Sequence, residues 1–197
     1  MSYFRQFLLR VRQYDQLVNI SEIARRYFAM NAFDGVLTII GVLVGNLTAG
    51  VQDPQIVVST GLATSIAMGV SGLWGAYLTE SAERQRELDE LGRYTLTDLN
   101  DTRIGRASRA AAVTVALVDG LSPFLAATIV LIPFFAADLF SDITWAYLSS
   151  LAMSLISLFG LGLFLGRISR GNILLFGIKT VLAGVVSIGI SYLLTGE

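Results

Sequence analysis

The sequence predicts an all-α integral membrane protein with five transmembrane helices, and three observations carry that reading. The chain has 197 residues, of which 54% are hydrophobic and 15% charged, and its mean hydropathy is +0.65. That is too apolar for an ordinary soluble domain and too short for two large ones. Five apolar runs, at 27 to 49, 55 to 79, 111 to 137, 143 to 166 and 172 to 194, each reach the ~20 residues that a helix needs to span a bilayer. Arginine occupies only alternate connections between them, which is the asymmetry of a threaded chain.

Composition also excludes function classes. A net charge of -1 gives no basic footprint for nucleic acid. With no Cys and no His, disulfides, thiolate clusters and imidazole ligands are absent, as is His or Cys catalysis. A metal here must be held by oxygen donors or Met sulfur, a set suited to Mg, Ca, Mn and ferrous iron rather than structural zinc. No covalent cofactor is expected.

Residues 1–26 interleave Arg5, Arg10, Arg12, Arg25 and Arg26 with Phe4, Phe7, Leu8, Val11, Leu17 and Val18. They read as an amphipathic basic helix on the membrane surface, without the continuous apolar core of a signal peptide. Asn19 or Ser21 is positioned to cap the helix that leads into the first span. Residues 27–79 hold spans one and two, 80–110 a Glu-rich cytoplasmic helical segment, and 111–194 spans three to five. Arg84, Arg86, Arg93, Arg103, Arg106 and Arg109 lie in the long segment and Arg167 and Arg170 in the fourth turn, whereas the other turns have none. The N-terminus, the long segment and the fourth turn are therefore expected in the cytoplasm, and Glu197 outside.

Asp34 lies two to three turns inside the first run, where an ionised side chain costs on the order of 2.5 kcal/mol or more. Such an acid is expected to face a bundle interior, a partner ion or a water-filled path. The third run echoes the first: Asp119-Gly120 answers Asp34-Gly35, each acid eight to ten residues after an Arg. Equivalent depth is expected, and repeats of this kind place binding sites at their interface in many transporters. The alternative is that Asp-Gly merely starts a helix, the carboxylate serving as a cap. Asn31, Met30 and Met68 stand close enough in helical register to add an amide or a thioether to the path.

Gly41 and Gly45 on the first span, and Gly72 and Gly75 on the second, form small-residue ridges for helix packing within a protomer or across a dimer. Pro123 and Pro133 withdraw backbone donors from the third span and are expected to kink it or expose carbonyls. Beyond the second span, Glu80, Glu83, Glu87 and Glu90 follow three-and-four spacing, so at about 100° per residue they share ~80° of arc. Two readings stand. The stripe is a metal-gathering face, or it is a solvated helix tied by pairs such as Glu80 with Arg84 and Arg86 with Glu90. Asp98 and Asp101 add ligands or cap the next helix.

These residues together resemble the vacuolar iron transporter family. The likeness rests on Arg26 followed by Asp34-Gly35, on the small-residue second span running into a Glu-rich helix, and on Pro133. It continues in Phe164-Leu165-Gly166-Arg167-Ile168-Ser169-Arg170-Gly171-Asn172, in Gly177-Ile178-Lys179-Thr180 and in the Gly-rich last span through Gly184. The resemblance implies a homodimer that moves ferrous iron, often manganese too, out of the cytosol in exchange for protons, with Asp34 on the path and the Glu helix gathering or sensing metal. Two departures stand out. Plant members carry a Met just after a Ser in the second span and a Glu shortly after it, where this chain has Ser71-Gly72 and Gly75-Ala76. The cytoplasmic segment is also far shorter than their three-helix domain, and Asp119 is the candidate replacement for the missing Glu.

The expected function is export of a divalent cation, by proton antiport past the intramembrane aspartates. The competing reading is a non-transporting membrane sensor or scaffold whose acidic helix binds ions or a partner, its aspartates paired with Lys179 or backbone amides. Catalysis is not expected, since the residues flanking the two aspartates do not resemble intramembrane protease motifs. Compactness points to a prokaryotic plasma membrane.

Overall fold

The computed structural model describes residues 19–196. Residues 1–18, with Arg5, Arg10 and Arg12 of the basic lead-in, and Glu197 lie outside the described residues. Five helices follow one another: α1 Ile20–Thr48, α2 Pro54–Thr95, α3 Arg103–Phe135, α4 Ile143–Ile168 and α5 Ile173–Thr195, with a 3-10 turn at Ala137–Leu139 after α3. Each is long and apolar enough to cross a membrane, and no strand occurs among the described residues.

Backbone chemistry ends the helices where the apolar runs stop. After α1, Gly50 takes a left-handed φ of 71°, while Gly50 N–H donates to Leu47 and Val51 N–H to Asn46. That is the paired bonding of a Schellman stop, in which glycine carries no Cβ penalty. The same long bond closes α2 from Thr97 to Gly92 and α4 from Gly171 to Gly166. Asp142 caps α4 by accepting from Thr144 N–H, and Asn172 caps α5 by accepting from Leu175 N–H. At the start of α1 the backbone carbonyl of Asn19 accepts from Glu22 and Ile23.

The Glu-rich segment begins on the same helix as the second span. α2 comprises 42 residues, about twice the ~20 that a span needs. Its second half therefore extends beyond the apolar layer and carries the glutamates with it. α3 includes both Pro123 and Pro133 and stops two residues after the second.

The chain divides into two compact units. One comprises residues 29–69 and 122–196. Its core joins Val36, Ile39, Ile40, Leu43 and Val44 of α1 with Val57 of α2, Ala127, Val130, Leu131 and Phe134 of α3, and Ala146, Tyr147 and Leu158 of α4. The Phe134 and Tyr147 rings meet edge to face at 4.9 Å, and the Tyr147 hydroxyl donates to the Val51 carbonyl at 3.0 Å. In a bilayer, apolar surface alone does not drive helices together, so close packing must. α4 and α5 meet through small residues: a Cβ on Gly177 would fall 2.6 Å from the Phe159 ring, and Gly162 faces the Gly177 backbone. The Thr180 hydroxyl donates across this seam to the Leu158 carbonyl at 2.8 Å.

Within the same unit Gly35, the residue after Asp34, lies against α3. A Cβ there would stand 2.6 Å from the Pro123 carbonyl oxygen and 2.7 Å from its Cα. Backbone atoms under 3.0 Å away would have to move further than the few tenths of an ångström that packed helices give, so Gly35→Ala should destabilise the protein by about 1–3 kcal/mol. Gly160→Ala, which meets nothing within 4 Å, should not. Thermal unfolding of the two variants in detergent checks the contrast.

The other unit comprises residues 19–28 and 70–121. Its buried side chains include Ile20 of α1, Ala76, Arg84 and Leu88 of α2, and Ala107, Ser108, Ala111, Ala112, Val115, Ala116 and Asp119 of α3. The α3 set forms two adjacent rows that repeat every four residues and is mostly alanine, the pattern of a helix face that admits a near neighbour.

Candidate functional site

Asp34 and Asp119 share a local sequence but not an environment. On α1 the buried stripe runs Ala29, Ala32, Val36, Ile40, and Asp34, two residues before Val36, falls about 160° from it. Asp34 is accordingly exposed on the surface of the chain, beside half-buried Asn31. Asp119 instead continues the stripe of Ala112, Val115 and Ala116 and is 7% exposed. The echo thus places one carboxylate on an outer helix face and the other inside a unit.

Gly72 of α2 lies opposite Asp119. A Cβ on Gly72 would stand 2.9 Å from Asp119 Oδ2 and 3.1 Å from its carbonyl oxygen. At Gly41, Gly45 and Gly75 a Cβ would meet nothing within 4 Å. Of the four ridge glycines, Gly72 alone lies at a close approach inside the chain, and it touches a carboxylate. Met68, one turn earlier on α2, is half-buried, and Met30 is 55% exposed.

The Glu stripe divides. Glu83, Glu87 and Glu90 are exposed, with Glu90 Oε1 3.3 Å from Arg86 Nε in a solvated pair. Glu80 faces inward. Its Oε2 lies 3.3 Å from Arg84 Nε, with side-chain exposures of 15% and 8%, and its Oε1 accepts from the Tyr27 hydroxyl at 3.2 Å. The angle at Arg84 Nε does not make a good hydrogen bond, so the contact is an ion pair by distance. Among the described residues no three carboxylates converge tightly enough to hold a metal ion. A cation on this stripe would be held through side-chain rearrangement or bound water.

In the turn after α2, Asp98 caps neither helix. It accepts from the backbone N–H of Asn100 and from that residue's side-chain amide, each at 2.9 Å. Those bonds, the backbone one first, hold the exposed Asp98 carboxyl below its ordinary range. They persist until pH falls through that lowered value. Thr102 is the residue that caps α3: its hydroxyl accepts from Gly105 N–H at 3.3 Å and its carbonyl from Arg106. Asp101 is exposed.

Lys179 sits 5.8 Å from the centroid of the Phe176 ring and makes no ion pair among the described residues. Two features were not read from sequence. Tyr27 as a partner of Glu80 left no signal, because 53 residues separate them. Asp53 and Asp138 line one cleft of about 480 Å³ with Gln55, Ser59 and Phe134. Asp53 Oδ1 is occupied there by Gln55 N–H at 2.8 Å.

Comparison with known proteins agrees with the motif-level resemblance. The model of the VIT family matches residues 26–101 and 95–196. An uncharacterized protein of Methanocaldococcus jannaschii is 31% identical over 189 residues, covering 93% of this chain and 95% of that protein. An archaeal relative of equal length fits a compact prokaryotic member in a plasma membrane. This chain belongs to the VIT family, whose members are membrane metal transporters rather than enzymes.

Proposed function

We propose that the protein exports divalent metal, ferrous iron and also manganese, from the cytosol in exchange for protons, as a homodimer. The observation that carries the proposal is Asp34: an exposed carboxylate on the outer face of an apolar helix. Left in lipid it would cost about 2.5 kcal/mol or more. A water-filled path, a second protomer or both must cover it. Gly41, Gly45 and Gly75, where an added Cβ would meet nothing within 4 Å, offer close approach to such a second copy.

In this reading the cytoplasmic side is that of the arginines: the start of α1, the 80–110 segment and the α4–α5 turn. Glu83, Glu87 and Glu90 gather the hydrated cation, and Glu80 joins them only by giving up Arg84. The ion then sheds water and is held by Asp34, with Asn31, Met30 and Met68 offering amide oxygen and thioether sulfur. Asp119 is the second carboxylate of the route. Oxygen donors suit manganese and ferrous iron, and a thioether favours the softer of the two, ferrous iron. Protons and metal compete for the same carboxylate oxygens, so protonation of Asp34 from the far side releases the ion and returns a proton inward.

The exchange is tested in liposomes holding the purified protein and a trapped pH dye. Addition of ferrous iron or manganese should move protons out of the lumen as metal enters, at a fixed ratio. Metal entry without proton movement would contradict antiport.

A further inference from the structure

We infer that Gly72 is a positioning residue: it keeps open the place that the Asp119 carboxylate occupies, and so sets the direction in which that oxygen donor points on the cation route. The inference rests on the reading of Asp119 as part of the route. Three glycines in this protein face α3 at close range, and they differ in what they face; at Gly61 an added Cβ would meet the Leu131 methyl groups at 2.7 and 2.9 Å. At Gly35 the atoms nearest to an added Cβ are the Pro123 carbonyl oxygen and Cα, which is helix-to-helix approach and nothing more. At Gly72 the nearest atom is Asp119 Oδ2 at 2.9 Å, and the Asp119 backbone follows at 3.1 and 3.3 Å.

The order of those distances decides what moves. A methyl group at 72 leaves the helix backbones to give by a few tenths of an ångström, which packed helices can do. The carboxylate oxygen must leave. Asp119 is 7% exposed and is flanked on its own helix by the buried Val115 and Ala116, so its carboxylate has few other places to go. A side chain at 72 therefore changes where the carboxylate points before it changes the fold. Gly75, one turn further along α2, has open space around it and serves as the control.

The test compares manganese uptake kinetics in proteoliposomes for wild type, Gly72→Ala, Gly75→Ala, Asp119→Ala and the double variant Gly72→Ala/Asp119→Ala. Gly72→Ala should raise KM about tenfold with kcat within about twofold, because a ligand is displaced while the path survives. Gly75→Ala should match wild type. On the Asp119→Ala background Gly72→Ala should add nothing, since the group it displaces is gone. A wild-type KM for Gly72→Ala, or an equal further loss on both backgrounds, would overturn the inference and leave Gly72 a packing residue. Where Asp119→Ala carries no measurable flux, thermal unfolding decides: Gly72→Ala should lower the melting temperature, or prevent assembly, only when Asp119 is present. Normal transport by Asp119→Ala would instead remove Asp119 from the route, a separate result from the unfolding comparison.

Discussion

Asp34→Asn should abolish metal flux while leaving a folded, assembled protein. The substitution keeps the shape of the side chain, and Asp34 lies about 160° away from the α1 stripe that enters the core. No core contact changes. What is lost is the negative charge and the exchangeable proton. At an effective dielectric of about 20, a divalent ion a few ångströms away loses about 4 kcal/mol or more of attraction, which is two to three decades in rate or affinity. Uptake into proteoliposomes at low metal concentration should fall at least about a hundredfold, with an unchanged size-exclusion profile. Flux at the wild-type rate would remove Asp34 from the mechanism.

Arg84→Met should destabilise the protein by about 3 kcal/mol or more, the measured range for breaking one side of a buried pair. Arg84 and Glu80 have side-chain exposures of only 8% and 15%. Without the guanidinium, the Glu80 carboxylate keeps the hydrogen bond from the Tyr27 hydroxyl but loses its cation. The cost arises from the charge left behind rather than from the pair itself. The double variant Arg84→Met/Glu80→Gln should therefore recover most of the loss, read as thermal or denaturant unfolding in detergent. A single-variant loss below about 0.5 kcal/mol, the range of solvated helix pairs, would place Arg84 with the exposed Arg86–Glu90 contact.

The spans were legible because the bilayer demands a continuous apolar length, and α1 to α5 follow the five runs closely. The i, i+4 pairs Glu80–Arg84 and Arg86–Glu90 were equally legible, since helical spacing alone brings those side chains together. Their burial was not. Both pairs have the same spacing, yet one lies on the inward face of α2 and the other in solvent, and only tertiary packing decides which. Asp34 and Asp119 make the same point more sharply. Their Asp-Gly contexts match, but the phase of the buried stripe differs between α1 and α3, and phase is set by partner helices. Gly72 read as one of four ridge glycines, and what distinguishes it is a carboxylate 47 residues away. Thr102, not Asp98 or Asp101, caps α3, because Asp98 is engaged within its own turn by Asn100.

The most direct measurement is accumulation of ferrous iron or manganese inside liposomes that hold the purified protein, under an imposed pH gradient with the lumen acidic. Carboxylate-gated export predicts saturable accumulation above the external concentration, collapsing when the gradient is dissipated. Binding of metal to the Glu80, Glu83, Glu87 and Glu90 helix with no metal in the lumen would contradict transport, and would identify a membrane sensor instead.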